Sequence, residues 1–193
     1  MGLLQLQAPA AEPVTLAEAK LQCRVDGTDE DALINSLIAT ARLQAEHRTG
    51  RALITQTWRL TLDRFPFDSL ELPLAPAVSV EVVTYLDETG TRQTLSAAGY
   101  QLITDELVPR LIPAYGEAWP SCRVTPGSVR VDFTAGYGTS GDSVPKTVKQ
   151  WMLLAINTWY AQRENVITVT IVGELPRDFF DGLLDLVRIV RIA

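Results

Sequence analysis

The stretch "SVRVDFTAGYGTSGDSVPKTVKQWMLLAINTWYAQRE", residues 128–164, runs from strand-like alternation through a cluster of glycines into an apolar helical pattern. Gly136, Gly138 and Gly141 spell G-x-G-x-x-G, and "VITVTIV" with Glu174 just beyond supplies a further strand and an acid. Strand, glycine loop, helix, strand, acid is the order of a dinucleotide-binding unit. The local chemistry opposes that reading. The third glycine belongs at the helix start, where free amides meet a pyrophosphate. Here Asp142, Ser143, Val144 and Pro145 intervene. Asp142 repels phosphate, and Pro145 has no amide hydrogen. The strands before the loop also read as antiparallel. Gly136, Tyr137 and Gly138 are therefore expected to turn the chain sharply from a strand into a helix. A small dinucleotide-binding enzyme stays as the alternative reading.

Working outward, "PVTLAEAKLQCRV" (13–25) opens with Thr15 and Glu18 at capping-box spacing, which predicts a short helix. "DGTDED" (26–31) fails as a calcium loop, because its sixth position from Asp26 is Asp31 and its twelfth is Leu37. Thr28 or Asp29 is expected to cap a second helix, with Leu33, Ile34, Leu37, Ile38, Ala41 and Ala45 on one apolar face and Gly50 as its stop. From residue 57 the period changes to two. "TWRLTL", "VSVEVVTY", "TRQTL", "YQLIT", "RLIP" and "SVRVDF" read as short strands, "DETG" as a hairpin turn, and prolines punctuate the run. Pro145 then suits the start of a helix bearing Val148, Trp151, Met152, Ala155, Trp159 and Tyr160. "LPRDFFDGLLDLV" (175–187) reads as a last short helix, and the apolar tail "RIVRIA" invites pairing with another chain. The expected fold class is mainly α: a small helical bundle with an antiparallel β module inserted between the second and third main helices. The expected divisions are an N-terminal extension (1–13), the first part of a helical domain (14–56), the β-rich insertion (57–135), the second helical part (136–187) and a tail (188–193).

The 193 residues carry a formal net charge of −6, and 47% are hydrophobic, enough for a real core. An acidic chain grips phosphates poorly. One histidine, His47, and two distant cysteines, Cys23 and Cys122, argue against a zinc site and a histidine-based triad. No Walker A lysine and no G-x-S-x-G occur. No catalytic, cofactor or metal residue is assigned. The N-terminus is not expected to be a secretory signal or a myristoylation site, and no apolar run reaches membrane-span length.

"PVTLAEAK…RVDGTDEDALINSLIATARLQAEHRTGRALITQTW", "LELPLAPAVSVEVVTYLDETGTRQTL", "YGEAWP", "VDFTAGYG…VPKTVKQWMLLAINTWYAQRE" and "LPRDFFDGLLDLVR" together resemble the head–tail connector (adaptor, or head-completion) proteins of long-tailed phages and of phage-derived gene transfer agents. The resemblance spans nearly the whole chain in order. Its most specific pieces are "TGRALITQTW", "TAGYG" before "VP", and "WYAQRE". It implies a virion structural protein of the neck region, cytoplasmic during assembly. It implies a dodecameric ring beneath the portal that extends the DNA channel, passes DNA without reading its sequence, and offers a docking surface to a stopper or tail terminator protein. No membrane is involved. Carried onto this chain, the family's portal-engaging C-terminal segment falls on Leu186, Val187, Arg188, Ile189, Val190, Arg191 and Ile192. Two features depart from the family pattern: a more apolar tail, and the strand-like connection "NVITVTIVGE". A generic oligomeric scaffold is the further alternative.

Overall fold

The computed structural model describes residues 2–162 and 178–189 of the chain. It divides into two compact units, one formed by residues 1–10 and 55–137, the other by residues 11–54 and 138–193.

The first unit is a β structure. Its larger sheet is built from β1 (Gly2–Gln7), β2 (Gln56–Leu62), β4 (Ala77–Leu86), β5 (Arg92–Leu95) and β8 (Val129–Ala135), in the spatial order β1-β2-β8-β4-β5 with every pairing antiparallel. A smaller antiparallel sheet holds β3 (Leu70–Glu71), β7 (Arg110–Pro113) and β6 (Tyr100–Ile103), in that order. The period-two alternation reappears as two faces. Leu60, Val131 and Val83 stand opposite one another across three strands, and all are buried, as are Phe133 and Val129. Fully burying such side chains contributes about 1.5–3 kcal/mol each. On the opposite face Arg59 donates Nε and Nη2 to the Asp132 carboxylate, both at 2.7 Å. The hairpin turn at "DETG" is organised by Asp87. Its carboxylate accepts from the Thr89 hydroxyl (2.6 Å), the Gln93 amide (2.9 Å) and the Thr91 backbone (2.9 Å), and these bonds, Thr89's foremost, draw its pKa down to about 2.

The second unit is helical: α1 (Leu16–Cys23), α2 (Asp31–Thr49), α3 (Lys146–Ala161) and α4 (Asp178–Asp185). The capping box at α1 forms as its spacing predicts, with the Glu18 backbone N–H on the Thr15 hydroxyl (3.2 Å) and the Thr15 N–H on the Glu18 carboxylate (2.7 Å). The Lys149 ammonium also reaches Glu18 at 2.9 Å, tying α3 to α1. At α2 the cap differs from expectation. The N-cap is Glu30, with no side-chain cap, rather than Thr28 or Asp29. Gly50 does end α2, at φ 69°, in the left-handed region that glycine adopts without strain. Ile34, Ile38, Ala41 and Ala45 pack inward, while Leu33 is exposed. From α3, Val148, Trp151, Met152, Ala155 and Ile156 complete the core. Arg42 and Glu46, one turn apart on α2, are buried beside this face.

The expected mainly-α bundle with an inserted β module is therefore wrong. The fold is mixed α and β, with two antiparallel sheets and eight strands against four α-helices among the described residues. Nor is the β unit purely an insertion between α2 and α3: β1 comes from residues that precede α1. Residues 2–7 hold no β-branched or aromatic residue, and the adjacent Leu3 and Leu4 break the period of two, so they do not announce a strand. What makes β1 one is pairing with β2, some fifty residues further along the chain. The strand expected in "VITVTIV" lies outside the described residues.

Candidate functional site

Two stretches were expected to matter: the glycine turn and the C-terminal segment. At the turn, each glycine has a steric reason within its own surroundings. Gly136 has φ 142° and donates its N–H to the Pro76 carbonyl at 2.9 Å. A Cβ on Gly138 would collide with the Ser143 side chain, its Cβ lying 2.7 Å away. A Cβ on Gly141 would run into the Pro13 backbone, with the carbonyl carbon at 2.9 Å and the carbonyl oxygen nearer still. Residues 141–143 form a 3-10 turn, the Val144 N–H returns to the Gly141 carbonyl (3.2 Å), and Pro145 is the N-cap of α3. The Gly136, Ser143 and Val144 amides are taken by backbone carbonyls, and the strand feeding the loop is antiparallel to both its neighbours. The dinucleotide reading lacks its parallel sheet.

At the other end, α4 is clamped by Asp181. Its carboxylate accepts from Arg48 Nη1 (2.5 Å) and Trp151 Nε1 (3.0 Å), and the Arg48 guanidinium lies 5.4 Å from the Trp151 ring centre. Burial pushes the Asp181 pKa upward, but the Trp151 and Arg48 bonds outweigh it and leave it below the usual value. Beyond α4, Val187 bonds back to Leu184 (3.0 Å), the Ile189 N–H meets the Thr49 carbonyl (2.9 Å), and Arg51 Nε donates to the Val187 carbonyl. Leu186 points outward and is 80% exposed. So the segment Leu186–Ile192 begins as a strap fixed to the C-terminal end of α2, a feature sequence reasoning missed. Val190, Arg191 and Ile192 lie outside the described residues.

His47 lines a shallow groove with Arg48, Asp181, Leu184, Asp185 and Arg188, a lining without serine, threonine or cysteine among the described residues. A second groove, in the β unit, has an aromatic wall made by Phe65 stacked on Trp119, ring centres 4.9 Å apart. Among the described residues no cluster of three or more His, Cys, Asp or Glu side chains could hold a metal ion. No described helix is long and apolar enough to cross a membrane.

Residues 13–86 match the family model of the phage gp6-like head-tail connector protein. No curated protein matches the chain. Among solved structures, a chain in the neck of an empty GTA particle computed with C6 symmetry is 30% identical, with a TM-score of 0.84. A chain in the virion of a native gene transfer agent particle is also 30% identical, with a TM-score of 0.81. A chain in the neck of a native GTA particle computed with C12 symmetry is 28% identical, with a TM-score of 0.77. Each match covers 100% of this chain and 98% of the other. With the family match and 30% identity to a neck chain over its whole length, the chain belongs to the phage gp6-like head–tail connector family, serving as a structural connector.

Proposed function

We propose that the chain forms a ring in the neck of a phage or gene transfer agent particle, beneath the portal. There it extends the DNA channel and presents a docking surface to a stopper or tail terminator protein. The observation that carries this reading is the full-length match to chains in GTA necks computed with sixfold and twelvefold symmetry. Two properties of the chain fit it. A subunit with net charge −6 lets DNA pass without adhering. The tail leaves α2 on a fixed strap, with Leu186 outward, which suits Leu186–Ile192 as the portal contact. The role read here is structural.

Deleting the gene from a producer strain tests the reading by electron microscopy. The expected result is heads without tails, or heads emptied of DNA, beside free tails, with normal particles restored by the full chain. Normal tailed particles from the deletion strain would remove the proposal.

A further inference from the structure

The larger sheet has two edges, β1 and β5, at opposite ends. Among the described residues no backbone hydrogen bond reaches the outer side of either strand. Natural edge strands are usually blunted by charge or proline. β1 has neither: its residues are Gly-Leu-Leu-Gln-Leu-Gln, all exposed, with Leu3 at 39%, Leu4 at 59% and Leu6 at 43%. The one charge on β5, Arg92, is engaged with the carbonyls of Ser128 (3.1 Å) and Gly127 (3.3 Å).

The register adds a second observation. Leu3 stands opposite Leu60, Leu60 opposite Val131, Val131 opposite Val83, and Val83 opposite Leu95. One apolar row thus crosses the sheet from edge to edge, and a leucine ends it on each side. The middle three members are fully buried, whereas Leu3 and Leu95 are not. Such a row is completed by a further strand bringing its own leucine.

We infer that the β1 edge of one copy receives the β5 edge of the next copy, joining the sheets of adjacent subunits. The inference rests on the ring reading above. It commits to unlike edges because β1 against β1 would create a two-fold axis and close as a dimer, whereas unlike edges continue around a cyclic ring. An antiparallel sheet of five strands has both edges running in one direction, so the junction is parallel. Before its register shift β1 offers Gly2–Gln5, four residues, against the four of β5. A closed ring of strands needs a stagger along the strand direction, and a stagger of two residues keeps the apolar side chains on one face. Leu3 meets Leu95 of the neighbour where the junction itself carries no stagger, and Gln93 where it carries a stagger of two.

Cysteine cross-linking tests this in the full chain, with Cys23→Ser and Cys122→Ser removing the native thiols. Leu3→Cys is combined with Leu95→Cys in one variant and with Gln93→Cys in another, and mild oxidation follows assembly. The expected result is a covalent ladder from at least one double variant, rising toward the ring size, and none from Leu3→Cys alone. Rings intact by mass photometry but no ladder from either variant would overturn the junction while leaving the ring reading standing. Covalent dimers from Leu3→Cys alone would overturn it in favour of a two-fold contact. A wild-type chain that forms no ring, even in particles, would remove both. A Leu3→Asp variant that keeps its circular dichroism should assemble at least 10-fold more weakly, and unchanged assembly would count against the junction.

Discussion

Replacing Glu46 by alanine is expected to destabilise the helical unit by about 3 kcal/mol. Glu46 is buried on α2, and its carboxylate serves two partners. One oxygen accepts from Arg42 Nη1 at 3.1 Å, and the other accepts the backbone N–H of Leu53 at 2.9 Å. Arg42 is itself buried, with its Nε on Glu12 at 2.8 Å. Removing Glu46 leaves a buried guanidinium with reduced compensation and takes this acceptor from the buried Leu53 amide, and a buried group that loses its partner costs about 1–3 kcal/mol by itself. The remaining Glu12 contact keeps the loss from the upper end of the range for a broken buried pair. Urea denaturation of the two proteins checks the value. The pair Arg42→Met with Glu46→Leu should recover part of the loss, because apolar groups of similar size need no partner. A loss below about 1 kcal/mol for Glu46→Ala would mean that the carboxylate is more hydrated than its position indicates.

Gly141→Ala is expected to cost about 2 kcal/mol, the scale of overpacking a filled site. The added methyl would meet the Pro13 backbone, which cannot rotate away as a side chain does. Gly27→Ala is the control. Its Cβ meets nothing within 4 Å at an ordinary φ, so it should stay within about 0.5 kcal/mol of the parent protein. Thermal denaturation of both variants, with and without a nicotinamide dinucleotide, separates two meanings of the glycine loop. A packing role predicts that Gly141→Ala loses stability and that the cofactor stabilises neither protein. An unperturbed Gly141→Ala, or a cofactor-dependent rise in Tm, would reopen the nucleotide reading.

What was legible in the sequence was local. The Thr15/Glu18 box, the Gly50 stop and the strands at 57–62, 78–85 and 128–133 depend on neighbours a few residues away, so spacing alone exposes them. The balance of the fold was not local. The short strands were read as an insertion into a helical frame, whereas they pair into two antiparallel sheets, with β1 joining through residues 57–61. The α2 cap went astray for a related reason: Thr28 and Asp29 are good capping residues, yet the helix begins one residue later, at Asp31, whose carboxylate is taken by Lys20 of α1 at 2.7 Å. At the C-terminus, composition suggested an unanchored apolar tail. The bonds from Ile189 to Thr49 and from Arg51 to Val187 join residues more than 130 apart, and no periodicity reveals them. The glycine loop shows the converse. A motif read in isolation pointed to a nucleotide, and the residues between its last glycine and the helix were enough to argue against it.

A cryo-electron microscopy reconstruction of the neck of its own particle decides whether this chain is a ring-forming connector. The expected reconstruction holds a twelvefold ring of this chain on the tail side of the portal, with the segment after Leu186 directed at the portal. A neck reconstruction with no density for this chain, or with the chain elsewhere in the particle, would contradict it.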